Sequence, residues 1–252
     1  PTRQIIRRLL GRFGVTHTML SIEDLAGVEH ALATTPTRLI VFESPTNPVT
    51  RIADIAALTR LARRHGAATV MDNTFAGLHQ HGEFDVDYFL HSLTKYASGA
   101  GAVMAFLIQR GLRPYFVRYR EQSARALDIA QRLAAHPAVV RVHYPGLPAH
   151  PQYALARAQM REFGTIVSFD LHGGAEAGRR FAEALALFAK AASVGSTESL
   201  VLAPQMLKAR DLTAAQQAIS GVTEGTVRLP IGLEDPEDLA ADIERGLAAA
   251  KA

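Results

Sequence analysis

Ala67-Ala-Thr-Val-Met71 is a continuous apolar run of strand length that leads straight into Asp72-Asn-Thr-Phe75. A second such run, Arg38-Leu-Ile-Val-Phe42, ends in the punctuated loop Glu43-Ser-Pro-Thr-Asn-Pro48. Between them Asp54 stands at the N-cap position of a segment whose Ile55, Leu58, Leu61 and Ala62 fall on one helical face, and Gly66 stands at its C-terminal stop. Strand, helix and strand in this order make a βαβ unit, and the unbroken apolar runs predict parallel strands buried on both faces. Asp85-Val-Asp-Tyr-Phe-Leu90 reads as a further short strand, followed by His91-Ser-Leu-Thr-Lys-Tyr96. Three polar clusters therefore occupy carboxyl ends of strands, where open α/β sheets bind ligands.

Toward the N-terminus, Ile5, Ile6, Leu9 and Leu10 have helical spacing, closed by Gly11 or Gly14, and Ser21-Ile-Glu-Asp24 resembles a capping box for a short helix to about Ala33. Toward the C-terminus, a single long helical pattern runs from Arg110 to about Ala135 and ends at His136-Pro137. Strands over Val139–Tyr144 and Thr165–Leu171, and helices over Ala175–Phe188 and Pro236–Ala250, complete a smaller α/β region. The expected division is a large, mostly parallel-sheet domain over residues 1–125 and a small α/β domain over residues 126–252.

With 252 residues, 48% of them apolar, the chain can bury one large core or two modest ones, which excludes general disorder. A formal charge of +3, spread along the chain, is too weak a field to imply nucleic acid. No apolar run has the length of a membrane span, and cytoplasm is the default compartment. The absence of cysteine excludes disulfide scaffolds and thiolate-ligated metals. Of 27 basic residues only Lys95, Lys190, Lys208 and Lys251 are lysine. Arginine cannot replace a nucleophilic amine, so each lysine in so Arg-rich a chain is a candidate for one.

Lys95 follows Ser92 and Thr94, whose hydroxyls, two residues apart, can point together at a phosphate beside a reactive amine. The competing reading is a surface lysine after a strand. Asp72 ends an apolar strand, where its carboxylate either holds a proton on a heteroaromatic nitrogen or caps the following turn. Asn47, between two prolines, is either a ligand amide or an Asx-turn residue. His79, His81 and Glu83 alternate and offer a metal site as a different class of chemistry, but no fourth ligand stands at a recognisable spacing.

The ordered set Glu43-Ser-Pro-Thr-Asn-Pro48, Asp72-Asn-Thr-Phe75, His91-Ser-Leu-Thr-Lys-Tyr96, Tyr144-Pro-Gly-Leu147, Ser193-Val-Gly195 with Glu198-Ser-Leu200, and Arg228-Leu-Pro-Ile-Gly-Leu-Glu-Asp235 closely resembles the Cys/Met-metabolism family of pyridoxal-phosphate enzymes. The resemblance spans nearly the whole chain. It implies a fold-type-I pyridoxal-phosphate (PLP) transferase architecture and PLP as cofactor. It makes Lys95 the lysine that links to the cofactor aldehyde and places Ser92 and Thr94 on the phosphate. Asp72 would lie on the pyridine nitrogen, Thr74 among the cofactor contacts, and Asn47 near the ring 3′-oxygen. Arg228 would bind the substrate α-carboxylate, with Asn47 and Ser193 also on the substrate. The implied reaction is carbon–sulfur lysis or γ-replacement on a small amino acid, with an O-acetyl- or O-succinylhomoserine sulfhydrylase or a non-catalytic remnant as alternatives. The implied assembly is a homodimer, or a dimer-of-dimers tetramer, with shared active sites.

Several features depart from the family pattern. The family has some hundred further residues before the position of Pro1, with part of the phosphate and ring cradle, and a further stretch after Gly101. Either the chain is a shortened, spliced form, or disordered stretches of a longer chain are left out. The second is the expectation, because losing a strand and the cradle would cost the large domain its core. Ala192 stands where some γ-lyases carry Glu, and Pro230 where Ser is usual; the first argues against a cystathionine-γ-lyase-like distal pocket.

Overall fold

The computed structural model describes residues 2–78, 83–99, 105–207 and 213–251. Helical turns over Thr2–Phe13 end at Gly14, whose left-handed φ of 75° closes them. The first regular helix, α1 (Leu25–Thr34), is capped by Asp24, whose Oδ1 accepts the Gly27 N–H at 2.8 Å. The capping residue is thus Asp24 itself, and Ser21 only accepts from Glu23 in the turn before it. Strand β1 (Leu39–Glu43), helix α2 (Ile55–Arg64), strand β2 (Ala68–Asp72) and strand β3 (Tyr88–Leu90) follow. Asp54 caps α2 through the Ala57 N–H at 2.8 Å, as its place before the apolar stripe predicts.

The three strands form a parallel sheet in the order β1-β2-β3, in which Glu43 pairs with Asp72 and Asp72 with Leu90. All three strand ends thereby lie side by side. Strand β3 is shorter than expected because Asp85 and Asp87 turn to ion pairs with Arg63, and Asp87 also accepts from Thr69. One face of the sheet, with Phe42 and Met71, packs on Ile55, Leu58 and the apolar side of α1. The other face is open: Leu39, Val41, Tyr88 and Leu90 are 47%, 39%, 61% and 49% exposed. The expectation of burial on both faces is corrected here, since α1 and α2 both cover the same side.

The long helical pattern after residue 105 is two helices, α3 (Ala105–Leu112) and α4 (Tyr115–Ala135). Pro114 separates them because it lacks an N–H and disfavours helical backbone at Arg113. The start of α4 puts Tyr115 and Tyr119 against Tyr96, Ile166 and Val194, and its later turns put Ala126, Ile129 and Leu133 into the largest core cluster. Downstream lie β4 (Val139–His143), α5 (Tyr153–Gln159), β5 (Ile166–Leu171), α6 (Gly174–Ala184), β6 (Ala189–Lys190), β7 (Leu200–Val201), α7 (Ala214–Ser220), β8 (Thr226–Pro230) and α8 (Pro236–Lys251).

Strands β4, β5 and β8 form an antiparallel sheet with β5 in the centre, and every residue of β5 and β8 is buried. Phe169, Phe181, Leu229 and Leu247 meet there with the apolar faces of α4, α6 and α8. Burying each such side chain contributes roughly 1.5 to 3 kcal/mol. Helix α6 stops at Ala184, short of the expected Phe188. The buried Asp242 carboxylate on α8 accepts the N–H groups of Ala186, Leu187 and Phe188, which pulls that segment out of the helix. No described helix is long and apolar enough to cross a membrane.

Candidate active site

At the open end of the parallel sheet, a first chain of hydrogen bonds links the ends of β2 and β3. Asp72 Oδ1 accepts from the Thr74 N–H at 3.0 Å and from its hydroxyl at 2.6 Å. The same Thr74 hydroxyl accepts the Ser92 N–H at 2.9 Å. Ser92 and Thr94 hydroxyls lie 3.0 Å apart, so the pair does point together as the sequence suggests. The carboxylate is thus oriented by a neighbour that also fixes the start of the hydroxyl-bearing turn.

A second chain runs from that turn to the small sheet. Lys95 Nζ donates to Ser193 Oγ at 3.2 Å, and the Ser193 carbonyl accepts from Arg228 Nη2 at 3.1 Å. Arg228 Nη1 donates to Asn47 Oδ1 at 2.9 Å, and the Asn47 N–H donates to Glu43 at 3.2 Å. Glu43 pairs in register with Asp72, which closes the ring of contacts. Lys95, Ser193, Arg228 and Asn47 therefore converge, with Asp72, Thr74, Ser92 and Thr94 on the adjoining strand ends.

Electrostatics follow from this crowding. Desolvation, and secondarily the Arg228 charge, lower the Lys95 pKa below that of an ordinary lysine, which raises the share of neutral amine. Burial pulls Arg228 down to about 10, so it remains charged at neutral pH. The Glu43 carboxyl is raised, chiefly by desolvation, against the lowering effect of the Asn47 N–H, with the Asp72 charge adding to the rise.

Three features were not evident from single residues. Gly195, at φ 80°, lies so close to the Lys95 turn that a Cβ there would meet the Tyr96 nitrogen at 2.5 Å. Tyr96, fully buried, holds Thr165 by its hydroxyl at 2.8 Å. Glu43 anchors the loop that carries Asn47; its place at a strand end was the available signal. Of the alternative metal ligands, His79 and His81 lie outside the described residues, and no cluster suited to a metal ion occurs among the described ones.

The arrangement fits PLP and its amino-acid substrate. A desolvated lysine amine stands beside a hydroxyl pair suited to phosphate and a carboxylate fixed at a strand end. Arg228 Nε, moreover, is buried without a hydrogen-bond partner, as a guanidinium reserved for a ligand anion would be. Fold and site together define a PLP-dependent α/β enzyme. A sequence profile of the Cys/Met metabolism PLP-dependent enzymes matches residues 1–105 and 100–248. The L-methionine gamma-lyase of Pseudomonas putida is 40% identical over 273 residues, with 95% of this chain and 68% of the relative covered. That alignment is longer than the chain itself and so contains gaps in it. An O-succinylhomoserine sulfhydrylase of Pseudomonas aeruginosa is 34% identical, covering 98% and 69% of the two chains. The crystal structure of a cystathionine gamma synthase from Xanthomonas oryzae pv. oryzae, in complex with cystathionine, superposes with a TM-score of 0.92 at 34% identity, over 99% of this chain and 73% of that one. The chain belongs to the Cys/Met metabolism family of PLP-dependent enzymes, and its architecture is that of the fold-type-I PLP-dependent transferases.

Proposed function

We propose that the protein is a carbon–sulfur lyase that eliminates the γ-substituent of a sulfur-substituted homoserine such as methionine. The observation that carries this reading is the convergence of Lys95, Ser193, Arg228 and Asn47 at the mouth of the parallel sheet. The similarity to an L-methionine gamma-lyase supports elimination as the outcome. A second reading, γ-replacement by an incoming thiol, is supported by the sulfhydrylase among the relatives.

PLP, when bound, supplies an electron sink for the carbanion formed at the substrate α-carbon. Ser92 and Thr94 donate their hydroxyls to its phosphate. Asp72, held by Thr74, keeps a proton on the pyridine nitrogen by favouring the charged ring. Arg228 offers a planar fork to the substrate carboxylate and Asn47 fixes one side of that fork. Lys95 Nζ, kept partly neutral by desolvation, removes the α-proton and carries protons onward to neighbouring carbons, with the Ser193 hydroxyl orienting it. The catalytic unit is read as a dimer, since closed two-fold pairing lets one interface complete two sites.

The test is to load the full chain with PLP and supply L-methionine, or O-succinylhomoserine with cysteine. Release of 2-oxobutyrate from methionine is expected. Cystathionine as the dominant product would favour replacement, and no turnover of either substrate by a chain that binds PLP would favour the non-catalytic remnant.

A further inference from the structure

The loop that carries Asn47 is gripped by one row of the small sheet. His143 pairs with Ser168 across β4 and β5, and Ser168 pairs with Arg228 across β5 and β8, so the three stand side by side. Each holds a different point of the loop. Arg228 Nη1 donates to Asn47 Oδ1 at 2.9 Å, and the Ser168 hydroxyl donates to the Pro48 carbonyl at 2.7 Å. The Thr50 hydroxyl donates to the His143 carbonyl at 3.0 Å. Asn47 itself is exposed, so side-chain packing does not fix where its amide lies. Pro48, Thr50 and Ser168 are buried, so the backbone on its C-terminal side is fixed instead.

Thr50 adds an independent sign of constraint. Its φ of 48° lies in the left-handed region, and it is the only non-glycine residue with positive φ among the described ones. A β-branched residue is costly there and persists where surrounding contacts hold it. The Thr50 hydroxyl bond and the Thr50 N–H to Thr46 carbonyl bond at 2.9 Å are such contacts.

We infer that Ser168 and Thr50 are positioning residues that set the Asn47 amide against Arg228 and thereby sharpen the enzyme's selection for a substrate α-carboxylate. This rests on the reading of Arg228 and Asn47 as the carboxylate-binding pair. Neither hydroxyl touches substrate; both act through the loop.

The test compares two ligands that lack a leaving group, L-norleucine and pentan-1-amine, which differ by the carboxylate. Their binding to the PLP-loaded chain is followed by cofactor absorbance, and amide exchange over residues 46–52 is followed in the cofactor-free chain. Ser168→Ala and Thr50→Val are each expected to weaken norleucine about tenfold, the worth of one neutral hydrogen bond, and the amine by less than about twofold. Both are expected to speed exchange in the loop, and Thr50→Ser to restore selectivity because it keeps the hydroxyl. Equal weakening of both ligands, or no change in either, overturns the inference. Should Ser168→Ala fail to fold, the Thr50→Val and Thr50→Ser pair carries the test. Arg228→Leu separates the levels: if it leaves the preference for norleucine intact, the carboxylate reading itself falls. If it abolishes that preference while the hydroxyl variants do not alter it, only the positioning role falls.

Discussion

The two sheets bring different things to one site. Strands β5 and β8 are buried along their whole length, and Arg228 projects from the second of them. The parallel sheet is buried on one face and open on the other, and its reactive groups stand at strand ends and in the turns beyond them. A guanidinium on a buried strand is placed to high precision by the core around it. A lysine or hydroxyl in a turn is placed by a few hydrogen bonds, such as those from Thr74 and Ser193. Chemistry that must move protons is thus kept on the adjustable side, and recognition of a fixed carboxylate on the rigid side.

If this division is right, the turn can lose its chemistry without losing the fold. Lys95→Ala is expected to abolish both turnover and covalent capture of PLP while circular dichroism stays unchanged. Borohydride reduction followed by peptide mapping checks it, and a label on Lys190 or another lysine would break the assignment. Asp72→Asn tests the same sheet one step further in. It is expected to slow α-proton exchange in deuterated water on the order of 10²- to 10⁴-fold, the range for a well-placed acid–base group. Near-normal exchange would remove Asp72 from the pyridine nitrogen.

The third contrast is in stability. Phe169, fully buried on β5, contacts Phe181 edge-on at 5.3 Å between ring centroids. Phe169→Ala is expected to cost about 3 to 5 kcal/mol, measured by urea unfolding. Tyr88→Ser, on the open face of the parallel sheet, is expected to stay within about 0.5 kcal/mol in this chain. A large loss at Tyr88 would show that this face is covered in solution.

Local patterns made much of this legible. The βαβ order, the caps at Asp54, and the grouping of Asp72 with Ser92, Thr94 and Lys95 at strand ends follow from apolar runs and short-range punctuation. The one-sided burial of β1 does not, because the same apolar run serves a strand covered on one face or on both. Asp242 ends α6 from 56 residues away, and Asn47 meets Arg228 across 181 residues. No spacing rule reaches such distances; resemblance to a family named both partners of the second pair but not their bond. Ser168 and Thr50 had no signal at all, since a buried hydroxyl in a strand and one in a turn look ordinary until the strands are in register.

The smallest expected effect couples the two sheets through charge. Lys95 has a lowered pKa, first from desolvation and second from Arg228 on the small sheet. Between that lowered value and the ordinary lysine value, the native chain binds fewer protons than the unfolded one. Stability of the cofactor-free chain therefore rises with pH across that window, and the penalty is fully present below it. The neutral amine is also the form that attacks an aldehyde, so the rate of PLP capture by the cofactor-free chain should rise with pH and level off below the ordinary lysine value. Arg228→Gln removes the second cause and leaves the first. The inflection is then expected to move upward but to stop short of the ordinary value, and added salt should move it little because the pair is partly buried. A stationary inflection in Arg228→Gln, with the fold intact by circular dichroism, would mean that burial alone tunes Lys95 and that the small sheet contributes recognition without electrostatic control.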